Sequence, residues 1–582
     1  MLKRDVSFSG PRLAAALLFG GVALLMFCAA DAKSPPTAGG QCPGGKSDLK
    51  LPPGFCATVF ADKIGHARHL VVAPNGVVYV NTWSGRYYGN DKPPEGGFLV
   101  ALQDTTGTGH ADVNKRFGDS MQTGSAGGTG IGLYKGSLYF EANDKILRYA
   151  LPEGSSVPMG KPEVIVSGLP LAGDHPMHPF AIDSQGAMYV DVASATNSCQ
   201  KENRQPFVPG DKPCTELETR GGIWRYDANK TGQKFSPAER YATGIRNADG
   251  IAIDSAGTGL YATQHGRDQL STNWSSLYTP EQGAELPAEE LLLISPGGDY
   301  GWPECYFDNK QNKLVLAPEY GGNGGTKVGE CAAKLAPIAA FPAHWAPNDV
   351  TIYAGSQFPR AYRGGAFIAF HGSWNRAPFP QGGYNLVFQP LANGKASGKY
   401  VVFGDGFAGA AKEPGKATHR PSGLAVAPDG ALFVTDDQNG RVWRITYVGG
   451  DASAQLHSVS PTSPAAGTAA AVAAAPPEGV NKNAGSAAGT LGQQVFDGKA
   501  AGAACIGCHG SDGKGTPLGP DLTSGKWLWS DGSVNGLQRT ITAGVPNPKN
   551  YRGPMPPMGG AQLSPEQVQA VAAYVWALGH PQ

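Results

Sequence analysis

Neither sign of charge prevails in this sequence: Lys+Arg and Asp+Glu stand at 47 each, and only 16% of the 582 residues are charged. Without a basic excess there is no broad electrostatic footing for nucleic acid or an acidic membrane surface. A dinucleotide fingerprint is missing as well. The Gly127–Gly132 run lacks GxGxxG spacing and leads into Leu133 and Tyr134, so it reads as a loop or turn. Cysteine is sparse at nine, and only one Cys-x-x-Cys pair occurs, which leaves a zinc site without its second ligand pair.

What is abundant is glycine (83) and proline (47), at ordinary aromatic content. That composition favours many short strands joined by turns. The length exceeds one ordinary core, so two or three domains are expected. At the N-terminus, Lys3, Arg4 and Arg12 precede the apolar run Leu13–Ala30, and Ala30-Asp31-Ala32 offers a small-x-small cleavage site. This predicts a signal peptide over residues 1–32 and export to the periplasm. The alternative is an uncleaved membrane anchor, because the run is near the lower limit for spanning. Cys28 leaves with a cleaved signal, and bulky Phe27 before it argues against lipidation. Six cysteines outside this segment and outside the Cys-x-x-Cys pair fall into near neighbours: Cys42 and Cys56, Cys199 and Cys214, Cys305 and Cys331. An even count in an exported chain supports disulfides, although six cysteines allow fifteen pairings. Paired locally, each would close a loop of about 15 to 27 residues and contribute about 3 kcal/mol.

One pattern recurs between residues 57 and 448. A small turn with glycine leads into a short apolar strand, as at Ala73-Pro74-Asn75-Gly76 into Val77–Val80 or Asp183-Ser184-Gln185-Gly186 into Ala187–Val190. The others are Ser137–Phe140, Leu260–Ala262, Ala366–Phe370 and Ala431–Val434. Each is followed by a second alternating strand: Phe98–Leu102, Lys145–Tyr149, Gly222–Tyr226, Glu290–Ile294, Tyr384–Phe388 and Arg441–Ile445. Six irregularly spaced pairs predict a mainly β chain, a six-bladed propeller over 57–448, preceded by an extension over 33–56. A long pair of β-sandwiches is the alternative. From Gly449 to residue 485 the chain is Ala, Pro, Ser and Gly with few large apolar residues, which reads as a linker. Residues 486–582 then form a small α-helical domain. Its last helix is expected over Ser564–Leu578, with Ser564 and Gln567 as a capping pair, Pro565 in the first position and Val568, Val571, Ala572 and Val575 as one stripe.

Cys505-Ile506-Gly507-Cys508-His509 is a haem-attachment motif. On one helical turn, two thiols three apart can each add to a haem vinyl group, and the following imidazole reaches the iron. With Gly519-Pro520-Asp521-Leu522, the Gly553-Pro554-Met555-Pro556-Pro557-Met558 segment and the terminal helix, the region resembles class I cytochrome c. The resemblance implies one covalent haem c, bound through Cys505, Cys508 and His509. Met555 is its sixth ligand, with Met558 the alternative. A haem ligated in this way has no open site and passes electrons.

Upstream, Asp174-His175-Pro176-Met177-His178, Gly244-Ile245-Arg246-Asn247, Gln264-His265-Gly266, Gly298-Asp299-Tyr300-Gly301-Trp302-Pro303 and His419-Arg420-Pro421 flank the inferred strands. Together they resemble the soluble pyrroloquinoline quinone (PQQ)-dependent aldose dehydrogenases and their sorbosone and pyranose dehydrogenase relatives. By position, His175 matches the family's general base, with His178 a competitor. Arg246 matches the cation facing the quinone C5 oxygen, supported by Asn247. Gly266 and Arg267 match carbonyl ligands of a calcium ion, and Arg420 matches a partner of a quinone carboxylate, although a structural salt bridge would equally explain an arginine there. Gly298–Pro303 reads as turn architecture. Two departures stand out. The family's cofactor lysine falls near His371-Gly372-Ser373-Trp374-Asn375-Arg376, where His371 or Arg376 would have to substitute, and an expected glutamine near Gly127 is replaced by small residues. The resemblance implies a quinohaemoprotein that oxidises a sugar or related aldehyde or polyol. Its electrons pass through the tethered haem to a soluble cytochrome or a membrane oxidase. A membrane is a partner only if the signal segment is retained. A metal-dependent lactone hydrolase and a carbohydrate-binding propeller, each with an appended cytochrome, are the other readings; the first requires a carboxylate-rich calcium cage.

Overall fold

A computed structural model describes residues 42, 45, 47–83, 95–118, 128–376, 379–413, 416–459 and 487–580, apart from 501, 502, 504, 517, 546, 547, 549, 552, 553 and 562. Residues 1–41, with Cys28 and the expected signal segment, Gly127, Gly553, residues 460–485 of the linker and residue 486 lie outside the described residues.

Six four- or five-stranded sheets, antiparallel except where Gln233–Lys234 joins Glu163–Ser167 in parallel, make the frame of the large lobe. Their first strands are His66–Val72, Ile131–Tyr134, Phe180–Ile182, Ile251–Ile253, Pro347–Ile352 and Pro421–Val426. Each of these touches the next, and the last touches the first, so the six form a closed inner ring: a six-bladed propeller. Every strand pair expected from the Gly-turn pattern is the middle pair of a blade, within three residues at each end, as with Ala187–Val192 beside Gly222–Asp227. Glycine is required at the turn before Ala187. Gly186 has φ 93°, and a Cβ there would stand 2.3 Å from Asn229 Nδ2. Closure uses the chain's own start. Phe55–Ala61 pairs antiparallel with Val442–Tyr447 and supplies the outer strand of the sixth blade. It therefore begins inside what the sequence suggests is an extension. Apolar residues fill the spaces between blades; Phe358, Tyr362, Phe367 and Phe403 form one aromatic nest under Phe55.

The three local disulfides form as expected, Cys42–Cys56, Cys199–Cys214 and Cys305–Cys331, with Cα separations of 5.5, 6.1 and 5.8 Å. Residues 449–459, the start of the low-complexity segment, are laid on the propeller: Arg360 donates to Ala452 O and Val459 to Val402 O.

The small lobe consists of helices Ala487–Phe496, Cys505–His509, Val534–Ala543 and Pro565–Gly579. The last has the anticipated capping box, with Ser564 Oγ accepting from Gln567 N and Gln567 Oε1 accepting from Ser564 N. Its stripe of Val568, Val571, Ala572 and Val575 packs on Val495, Phe496, Leu537 and Ile541.

Candidate functional site

The loops at one end of the inner ring carry a buried polar cluster, and His175 stands at its edge. Its Nδ1 lies 2.8 Å from Ser194 O and 3.0 Å from Ser194 Oγ. A carbonyl only accepts, so Nδ1 holds the proton and the neutral ring keeps a lone pair on Nε2. Burial, then the neighbouring Arg246 charge, hold this imidazole well below its ordinary pKa, so it stays neutral at pH 7. His178, the competitor, is fully buried away from the cavity. Its Nε2 bonds Pro170 O at 3.0 Å and its backbone N–H donates to Glu141 Oε1. Its place two residues before the short strand Phe180–Ile182 is structural.

Arg246 leaves the third blade after Arg240–Thr243, and its guanidinium is locked in place. Nε donates to Asn197 O (3.1 Å), Nη2 to Asn197 Oδ1 and Asp268 Oδ2 (3.0 Å each), and Nη1 to Gly266 O (3.1 Å). Asp268 is the hub of this group. It also accepts from Arg204 Nη2 at 3.0 Å and from Asn375 Nδ2 at 2.8 Å. Burial alone would raise its pKa, but Arg246 and Arg204 outweigh that and hold it well below the usual carboxylate range. Arg204 completes the group through Asp174 (3.0 Å) and Gln269 (3.1 Å). Neither Arg204 nor Asp268 stood out in the sequence. Arg204 has φ 64° and sits in the loop closed by Cys199–Cys214, where no strand or helix period marks it.

A second cation lies across the cavity. Arg420 Nε and Nη2 donate to His371 O (3.1 Å) and Gly372 O (2.8 Å), and its Cζ stands 5.5 Å over the Tyr384 ring. Nη1 makes no hydrogen bond among the described residues. His371 Nε2 is 2.7 Å from Asp437 Oδ1. Burial, then Arg420, push the His371 pKa down to about 4, so the neutral ring donates to an ionised Asp437. Beneath them Arg68 bridges Asp437 (2.7 Å) and Asp249 (3.2 Å).

Two placements differ from expectation. Arg376 does not stand in for the missing lysine: its guanidinium donates to Pro380 O, Ala284 O and Ala343 O and lies outside the cavity. The carbonyl of Gly266, expected on calcium, faces the Arg246 guanidinium. Arg267 turns its own guanidinium onto Glu319 and Asp268 O. A dication on the Gly266 carbonyl would stand against the Arg246 guanidinium, so that carbonyl does not fit calcium ligation. Among the described residues no three His, Cys, Asp or Glu side chains cluster as a metal cage. Gly298–Pro303 is architecture as anticipated: Asp299 bridges to Thr243, and Trp302 Nε1 bonds Asn197 O at 3.0 Å.

For a planar polyanion the two cations fit: Arg420, with Nη1 as a spare donor, and Arg246 face one space, which His175 with its free acceptor Nε2 and Asn247, whose buried Oδ1 has no donor among the described residues, also line. The same space continues into the small lobe, where Cys505, Cys508, His509 and Met555 line it. His509 Nδ1 lies 3.0 Å from Pro520 O, which fixes the tautomer that leaves Nε2 for iron. Burial raises the thiol pKa values of Cys505 and Cys508 to about 12 and 11. Met555 is pinned by a two-way backbone bridge with Val545 (2.7 and 3.0 Å), whereas Met558 lies off the cavity. These groups fit a covalently bound, His/Met-ligated haem.

Comparison with known proteins accords with this division. The TrAA12-like family model matches residues 49–448 and the cytochrome c model residues 490–579. The chain is 26% identical over 240 residues to a PQQ-dependent pyranose dehydrogenase of Coprinopsis cinerea, covering 36% of this chain and 31% of that protein. It is 27% identical over 216 residues to an uncharacterised protein of Borreliella burgdorferi, covering 37% of this chain and 50% of that one. A cbb3-type cytochrome c oxidase subunit FixP of Rhizobium etli is 40% identical over 77 residues, 13% of this chain and 26% of that one. The chain thus spans half or less of these relatives' lengths. Among solved structures, a Trichoderma reesei AA12 enzyme and the PQQ domain of the Coprinopsis cinerea pyranose dehydrogenase each superpose with TM-score 0.53 at 18% identity. They cover 71% and 70% of this chain and 100% and 99% of their own, and they establish the fold. With its matched propeller spanning most of the sequence, the chain belongs to the TrAA12-like family and carries a cytochrome c domain behind it.

Proposed function

We propose that this protein is a periplasmic quinohaemoprotein dehydrogenase that oxidises a sugar, a pyranose or related aldose, and passes the electrons through its own haem to an external one-electron acceptor. One observation carries the reading: a neutral imidazole with a free Nε2 and a locked guanidinium share a single cavity with a haem-attachment motif. PQQ, when bound, supplies a two-electron organic oxidant. The chain's own residues do the rest. His175 Nε2 takes the proton of the substrate hydroxyl at the carbon being oxidised. Arg246 is a preorganised cation where negative charge develops, held by Asp268 so that it need not reorganise. Arg420 offers Nη1 to a carboxylate, and Asn247 lines the same space. The cluster of guanidinium groups favours an organic anion over the dication a lactone hydrolase would hold. Export is supported by the signal-like residues 1–32 and by three disulfides, which persist in an oxidising compartment. The Ala/Pro-rich stretch tethers the haem lobe and keeps its effective concentration at the propeller high.

The test is reconstitution of the full, haem-loaded chain with PQQ, with and without calcium, followed by addition of aldoses while the reduced haem bands are recorded. Bands that appear only with both PQQ and sugar support the proposal. Absence of reduction by every sugar and aldehyde leaves a binding propeller instead.

A further inference from the structure

The segment His371–Arg376 serves both lobes. On its inner side Arg420 holds the carbonyls of His371 and Gly372, and Asn375 donates to Asp268. Trp374, between them, lines the shared cavity and meets the cytochrome at Gly507, the glycine inside the Cys-x-x-Cys turn. A Cβ on Gly507 would stand 2.5 Å from Trp374 O and 3.3 Å from Trp374 Cε3. Two further contacts surround this one. Beyond Met555, a Cβ on Gly560 would stand 3.3 Å from Thr272 Cβ, on the short helix Leu270–Asn273. Past His509, Ser511 Oγ donates to Glu413 at 2.9 Å and accepts from Lys416. The haem lobe is therefore seated by its attachment turn and its methionine loop on the propeller mouth.

From this geometry, and resting on the dehydrogenase reading above, we propose that Trp374 against Gly507 is the electron-transfer contact between the two redox sites, and that glycine at 507 is what allows it. Oxidation of one substrate molecule releases two electrons and two protons. A haem held by Cys505, Cys508, His509 and Met555 would accept one electron at a time, so the contact would serve twice per turnover, with an external one-electron carrier taking each electron onward. The protons leave by His175 to solvent. An indole packed against the turn that carries Cys505 and Cys508 gives a short path between the lobes.

The full-length holoprotein tests this with Gly507→Leu and, at the second contact, Thr272→Trp. The expected result is covalent haem at wild-type level and sugar oxidation by a phenazine dye, which draws electrons from the propeller directly, within twofold of wild type. Haem reduction by sugar in stopped flow slows at least tenfold. Without quinone, hydrogen exchange of amides 371–376 and 505–510, slow in the wild-type haem-loaded chain, accelerates in both variants. If Gly507→Leu fails to attach haem, Thr272→Trp decides alone. Unchanged haem reduction and unchanged exchange overturn the proposal. If no sugar reduces the wild-type haem, the dehydrogenase reading fails, and the exchange measurement still decides whether the seat exists.

Discussion

The two redox regions of this molecule are built in opposite ways. The haem pocket takes both thiols and its imidazole from Cys505–His509, one turn of helix, and adds Met555 from a nearby loop. The propeller cavity is assembled from His175, Arg246 and Arg420, which precede the inner strands of three different blades, and from His371, which follows the second strand of a fourth; they meet only when the ring closes. A centre made by covalent attachment needs little more than local spacing. A centre made by complementary charge needs a rigid frame, and here the frame is the inner ring with Asp268 as its hub. Mutations should therefore act all-or-none in the small lobe and by degrees in the large one.

The largest effect is expected where the contrast is sharpest. Cys508→Ala should remove most covalent haem, seen as loss of haem staining after denaturing electrophoresis, while the propeller keeps its dye-linked sugar oxidation. Loss of both activities together would show that the lobes do not work as separable centres. His175→Ala should lower kcat by roughly 10³-fold with haem attachment intact, in the range of a lost general base. Retained turnover would disqualify this imidazole. Arg246→Lys should cost about 10²-fold in kcat, because an ammonium cannot reach Asn197, Gly266 and Asp268 together. Asp268→Asn leaves Arg204 and Arg246 without their shared carboxylate and should destabilise the propeller by about 3 kcal/mol, read from urea unfolding.

The smallest effect concerns pH. Burial raises the pKa values of Glu289 and Glu290 to about 8 each, so the folded state favours their protonated forms. The stability they contribute is present below the unfolded carboxylate pKa and is lost as pH rises through about 8. Glu290→Gln should flatten the alkaline fall in Tm of the propeller and leave the haem lobe's Tm unmoved. His175 has the opposite sign: its depressed pKa favours the neutral ring in the fold, so its contribution is complete above the ordinary histidine value and fades as pH falls. The acid limb of turnover should accordingly lie below pH 6.5.

What was legible in the sequence follows the same divide. Glycine turns announced the middle strands of every blade, because those strands are long enough to alternate. The inner strands Phe180–Ile182 and Ile251–Ile253 are three residues each and show no period. Thr279-Pro280-Glu281-Gln282 carries the capping sequence of Ser564-Pro565-Glu566-Gln567, yet its helix ends at Glu285 before Pro287. His175, Arg246 and Arg420 were found by resemblance, and the structure brings them to one cavity. Arg204, Arg68 and Asp268 were not found, since a buried ion pair joins residues far apart in the chain and leaves no local trace. The Gly266 carbonyl and Arg376 are placed differently for a related reason: position within a motif does not tell which neighbour a carbonyl or guanidinium meets.

The clasp between Phe55–Ala61 and Val442–Tyr447 also governs how the molecule comes into being. While the chain is still emerging, the first strand has an open edge and waits for a partner at the far end of the ring. Cys56 can already join Cys42 in that interval, fixing the strand's entry before the toroid exists. Biogenesis thus has a natural order, early oxidation, late ring closure and then cofactor loading, and a chain stalled before residue 442 would present a sticky edge and no cavity to fill.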